Sequence, residues 1–127
     1  AQEGAKNNIR VNALAPTAGT RMTEGLIPEK AYALLTPETV SPAVLYLVSE
    51  DAPTRTILAA GAGAFAVAKI VETEGVLLGD DELDVDGVAA HWNEIANGGE
   101  KVLNAGFEQT FKMVGKAAEA KGIKLDG

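Results

Sequence analysis

The densest group of potential ligands is the acidic run Asp80-Asp81-Glu82, with Asp84 and Asp86 just beyond it. A calcium loop needs oxygens at alternating positions, a glycine at its sharp turn and a closing glutamate in register. Gly87 falls one residue late and no glutamate stands at the closing position. The run therefore reads as a solvated turn leading into a helix N-terminus, where acids favour the helix dipole. Gly61-Ala62-Gly63 suggests a phosphate cradle, but Ala66 stands where a third glycine belongs and no acidic residue follows at ribose-binding distance. A tight turn after a strand accounts for it more simply. The lone histidine, His91, excludes most histidine metal clusters, and the lack of cysteine excludes disulfides, thiol nucleophiles and cysteine-ligated metals. His91, beside Trp92, reads as a surface or half-buried helix residue. These residues predict neither a metal site nor a catalytic group.

The elements around them follow from pattern. Gly4 with Asn7-Asn8 looks like a helix end, so the chain is expected to begin in the middle of an element. Residues 9–15 are short, apolar and closed by Pro16, as suits a buried parallel strand. Residues 17–28 form a loop with Gly19, Gly25 and several hydroxyls. Thr36-Pro37-Glu38 and Ser41-Pro42 are helix starts, and the helix that follows carries Val44, Leu45, Leu47 and Val48 on an apolar face before stopping ahead of Pro53. Residues 56–60 make a second short strand, and residues 64–72 are extended or irregular. Two helices close the chain. One starts at Asp84, aligns Val85, Val88, Trp92 and Ile95, and ends at Asn97-Gly98. The other starts near Asn104, aligns Phe107, Phe111, Val114 and Ala118, and ends at Gly122. These stripes pack on each other, on a sheet from outside the chain, or on a second copy.

Composition narrows the function. Eleven basic and 18 acidic residues give a net charge of −7, which repels phosphate backbones and argues against nucleic-acid binding. No basic amphipathic helix or bilayer-length apolar stretch points to a membrane. The absence of cysteine fits a cytoplasmic protein.

The string Glu3-Gly4-Ala5-Lys6-Asn7-Asn8-Ile9-Arg10-Val11-Asn12-Ala13-Leu14-Ala15-Pro16 resembles the end of the catalytic helix and the sixth strand of short-chain dehydrogenases/reductases. Thr36-Pro37-Glu38-Thr39-Val40-Ser41-Pro42 and the helix after it, as far as Ser49, are similar to that family's P-E-x-[VI]-A-x-x-V-x-x-L helix, which precedes its seventh strand. Pro16-Thr17-Ala18-Gly19-Thr20-Arg21-Met22-Thr23 is similar to the corresponding loop of the (3R)-hydroxyacyl-CoA dehydrogenase units of multifunctional β-oxidation enzymes and their bacterial single-domain relatives. The resemblance implies an α/β fold: the last two strands of a doubly wound, Rossmann-like parallel sheet in residues 1–63, then a mainly helical extension in residues 64–127. It implies that Pro16, Thr17, Ala18 and Thr20 meet the nicotinamide side of NAD or NADP in an intact parent, with a plain surface loop as the alternative. Residues 23–38 match the family's substrate loop, where Met22, Leu26 and Ile27 line an acyl pocket or pack on the core.

The family's glycine-rich phosphate turn and its Ser and Tyr-x-x-x-Lys catalytic residues have no counterpart here: Tyr32 is followed four residues later by Thr36, and Tyr46 by Glu50. The expectation is a C-terminal piece of an oxidoreductase interconverting 3-hydroxyacyl and 3-ketoacyl thioesters by hydride transfer, inactive and binding no cofactor alone. The alternative is a non-catalytic oligomerisation or interaction module. The resemblance also implies a homo-oligomer through the 41–48 helix and the last strand.

Overall fold

The computed structural model describes residues 1–126, which form two compact units, the second beginning at Ile70. In the first unit, β1 (Ala13–Thr17) pairs in parallel with β2 (Ile57–Gly61), Ala13 opposite Ile57 and Thr17 opposite Gly61. This is the parallel pair expected from the sequence, with shifted ends. The late start of β1 has a side-chain cause. Asn12 Nδ2 donates to Pro53 O (2.8 Å), Asn12 Oδ1 accepts from Thr56 N (3.0 Å), and Val11 N donates to Thr54 Oγ1 (3.1 Å). These bonds occupy the groups that a ladder would use. The strand then runs through Pro16 instead of stopping there. Ala13 N donates toward the β2 side (Thr56 O, 2.9 Å), so by alternation the Pro16 nitrogen faces the other edge, where no strand lies among the described residues.

Between the strands lie a short helix, α1 (Glu29–Tyr32), a 3-10 turn over Pro37–Thr39, and α2 (Ser41–Leu47) with Pro42 in its first turn. The Arg10 guanidinium donates to the carbonyls of Ser49, Glu50 and Ala52, tying the turn after α2 to the approach to β1. Val40, Ala43 and Ala60 form a small buried core, with Leu14, Ala18 and Leu58 packed against it. Val44, Leu45 and Val48 of the α2 region point to solvent. Residues 64–68 are not irregular: β3 (Ala64–Ala68) folds back antiparallel on β2. The two residues between them, Ala62 (φ 51°) and Gly63 (φ 79°), take the left-handed turn that matches strand twist.

In the second unit, β4 (Val71–Glu72) pairs antiparallel with a short strand at Lys101–Val102. Between them, Asp84 caps α3 (Val85–Ala90) by accepting from Gly87 N (2.8 Å). The acidic run forms a 3-10 turn over Asp80–Glu82 that packs tightly on α3. A Cβ on Gly87 would lie 1.8 Å from Glu82 O, so only glycine permits that approach. The single helix expected from Asp84 is two, α3 and α4 (Trp92–Ala96), relaxed at His91 (φ −100°, ψ 10°). His91 lies between Glu82 (3.0 Å) and Glu94 (3.5 Å), and the weak helix formers Gly87 and Asn93 lie on either side of the break.

After β5, the Lys101–Val102 strand, comes α5 (Gly106–Ala120), which follows the expected pattern and is closed by Ile123 N on Ala118 O (2.8 Å). Its lysines face segment 72–75. Lys112 pairs with Glu72 and donates to Thr73 O (2.9 Å); Lys116 pairs with Glu74 (2.9 Å) and donates to Glu74 O (2.7 Å). The ammonium of Lys112 holds the Glu72 carboxyl below the ordinary carboxylate range, and that of Lys116 does the same for Glu74. Phe107 and Phe111, with ring centroids 6.5 Å apart, are exposed. No helix among the described residues is long and apolar enough to cross a membrane.

Candidate functional site

The carboxyl ends of β1 and β2 meet at Thr17 and Gly61, and ligands of open parallel sheets bind at such ends. A Cβ on Gly61 would lie 3.0 Å from both Thr17 Cβ and Thr17 O, so the two strands close on each other there. A shallow hollow of about 320 Å³ opens beside them, edged by Thr17, Leu35, Gly61 and Phe65.

The loop leaving β1 is held by its own hydroxyls and by the segment above it. Ala18 packs on the core. Gly19 N donates to Leu35 O, and a side chain at Gly19 would meet the Tyr32 ring. Thr20 N donates to Thr23 Oγ1 (2.9 Å), while Thr20 O accepts from the backbone N–H groups of Thr23 and Glu24 (3.0 Å each). The Thr23 hydroxyl has its single proton to share between Thr20 O (3.1 Å) and Ala18 O (3.3 Å). The hydroxyls of Thr17 and Thr20 are exposed and have no hydrogen-bond partner among the described residues. The turn is thus closed by its own bonds, and the strand end and the turn each carry one exposed hydroxyl, Thr17 and Thr20.

The four loop residues singled out from the sequence lie in one continuous stretch: Pro16 and Thr17 end β1, and Ala18 and Thr20 follow it. Met22 and Leu26 are exposed and Ile27 is half-buried. Tyr46 donates to Asp51 O (3.3 Å). No cluster able to hold a metal ion occurs among the described residues. Sequence reasoning missed Arg10, Asn12 and Thr23, the side chains that set the strand ends and close the loop. The spacing of Thr20 and Thr23, three residues apart in a glycine-containing loop, was the one available signal, since hydroxyls commonly bond backbone at such offsets.

No protein-family profile matches the chain. A short-chain type dehydrogenase/reductase of Mycobacterium tuberculosis is 41% identical over 110 residues, covering 85% of this chain and 37% of that protein. Along most of its length the chain is similar to short-chain dehydrogenases/reductases. The peroxisomal multifunctional enzyme type 2 of Drosophila melanogaster is 30% identical across 98% of the chain and 20% of its own length. The yeast peroxisomal hydratase-dehydrogenase-epimerase is 35% identical across 82% of the chain. The solved full-length Drosophila enzyme superposes with a TM-score of 0.74 at 26% identity, over 90% of this chain and 21% of that one. The α/β fold and the Rossmann-like character of the parallel pair stand on that match. The chain spans about a third or less of the length of these relatives.

Proposed function

We propose that this chain supplies the nicotinamide-side loop and the last parallel strand pair of an NAD(P)-dependent oxidoreductase that interconverts 3-hydroxyacyl and 3-ketoacyl thioesters. The observation that carries the reading is the family match over 85% of the chain, joined to a loop with two open hydroxyls at the carboxyl end of a parallel strand. The residues fit the nucleotide. Pro16, Thr17, Ala18 and Thr20 would hold it, Ala18 anchoring the loop on the core and the threonine hydroxyls meeting the carboxamide and a nearby phosphate. The cofactor, when bound, supplies the hydride.

This chain's part is to orient that ring and to bound the acyl pocket with Met22 and Leu26. Proton transfer falls to the family's Tyr-x-x-x-Lys pair, which has no counterpart among these residues, so the chain alone is inactive in this reading. Copies of the protein associate through the exposed face of α2, with Val44, Leu45 and Val48 at the contact. The working compartment is a reducing one, cytoplasmic or, as the relatives' names have it, peroxisomal.

The loop's part is tested by nucleotide titration of the protein made from the complete reading frame. Each of Thr17→Val and Thr20→Val should weaken binding about fivefold, the effect of losing one neutral hydrogen bond of about 1 kcal/mol. Unchanged affinity in both variants would reduce the segment to a surface loop and favour the non-catalytic module.

A further inference from the structure

β3 forms one edge of the three-stranded sheet. Thr56 O accepts from Ala13 N, so residue 56 faces β1, and by alternation residues 57, 59 and 61 face β3. Their partners there are Ala68, Ala66 and Ala64. The N–H and C=O groups of Phe65 and Val67 therefore point away from the sheet, along an edge where no strand lies among the described residues. All of β3 is exposed, Phe65 at 48% and Val67 at 53%. These two side chains share the sheet face of their partners Ala60 and Leu58, so the apolar row Leu14–Leu58–Val67 runs out to the open edge. Edge strands are ordinarily protected by a charge, a proline or a bulge. The other edge of the sheet carries Pro16 in β1, but Ala64–Ala68 has no charge, no proline and an unbroken register.

The pattern of this edge fits a copy of itself. Phe65 and Val67 lie symmetrically about Ala66. In an antiparallel pair with its two-fold axis at Ala66, Phe65 stands opposite Val67 of a second copy, and Val67 opposite Phe65 of that copy. Both are then hydrogen-bonded pairs that exchange their N–H···O=C bonds in each direction. Each also sets an aromatic ring against a β-branched side chain on one face, a favourable cross-strand combination. Charge permits the approach. A net charge of −7 opposes contact between copies in general, but residues 56–68 carry no charge. Lys69 falls opposite Gly63 of the second copy, so the two lysines lie at opposite ends of the pair. We propose that β3 pairs antiparallel with β3 of a second copy about Ala66, joining the two sheets into one. The contact is separate from that of α2 and does not depend on the dehydrogenase reading.

The chain has no cysteine, so single introduced cysteines report on the pairing. Ala66→Cys places two thiols across a non-hydrogen-bonded pair whose Cα atoms lie about 4.5 Å apart, within disulfide reach. Mild oxidation of this variant of the 127-residue chain should give a disulfide-linked dimer on a non-reducing gel. Ala64→Cys alone should stay monomeric there, because its two copies lie about 13 Å apart along the paired strands. Mixed with Ala68→Cys, which stands opposite it, Ala64→Cys should cross-link. Val67→Pro removes an N–H that points outward and none that bonds β2, so it should keep the native circular dichroism and abolish the Ala66→Cys cross-link. Val48→Asp should leave that cross-link in place. Failure of Ala66→Cys to cross-link, equally ready cross-linking of Ala64→Cys alone, or a cross-link that survives Val67→Pro would each overturn the proposal. Larger species without the Ala66→Cys cross-link, or a cross-link lost with Val48→Asp, would give the association to α2 and overturn it too.

Discussion

Gly61 sets how closely β2 can approach β1 at the loop. A methyl group there meets both the side chain and the carbonyl of Thr17 at 3.0 Å, and the carbonyl belongs to a paired strand that cannot step aside cheaply. Gly61→Ala should therefore lower stability by about 1–3 kcal/mol, the usual cost of overpacking, and weaken nucleotide binding by displacing Thr17. Denaturant unfolding and nucleotide titration of the same variant check both; an unchanged midpoint would mean that the strands separate freely there. Pro16, Thr17, Ala18 and Thr20 fall within one short string, so a local pattern could group them as one loop. Asn12 was not legible: its partners stand 41 and 44 residues away, and no local pattern carries a bond of that span.

At the scale of elements, α5 is joined to segment 72–75 by the Glu72–Lys112 and Glu74–Lys116 pairs. Both carboxyls are held below their ordinary range by those ammonium groups. A carboxylate with a lowered folded-state pKa contributes stability that is fully present above its unfolded value and is lost as pH falls through the folded one. The thermal midpoint should thus hold from neutrality down to the ordinary carboxylate range, near about 4.3, and drop below it. Glu72→Gln should lower the midpoint at neutral pH and flatten the acid limb. A wild-type acid limb identical to that of Glu72→Gln would show that the pair adds nothing. The helix was legible from its apolar stripe and from Gly122. The β4–β5 pair was not, because two-residue strands are too short to show a period. Likewise the break at His91 leaves the apolar spacing across α3 and α4 intact and so is invisible to it.

For the molecule as a whole, the surface is too large for its core. It exposes 9762 Å², where two separate compact units sharing this chain would expose roughly 7,700 Å². The surplus is over twice the roughly 800 Å² that one partner commits to a stable interface. Val48 is 76% exposed at the end of α2, beside Val44 and Leu45. Light scattering should therefore find species larger than a monomer, and Val48→Asp should shift the mass toward a monomer. A monodisperse monomer for the unaltered chain at all concentrations would contradict the α2 contact. The apolar stripes were plain in the sequence, but whether each is covered or bare depends on which surfaces meet, and periodicity does not encode that.

In the proposed function this chain serves a nicotinamide-dependent 3-hydroxyacyl thioester dehydrogenase. The most direct measurement is nucleotide oxidation by the protein made from the complete reading frame, given a 3-ketoacyl thioester with NADH or NADPH. Thioester-dependent turnover is expected with one of the two nucleotides, reduced by Thr17→Val and Thr20→Val, and none is expected from the 127-residue chain alone. A folded complete protein that turns over with neither nucleotide would contradict it.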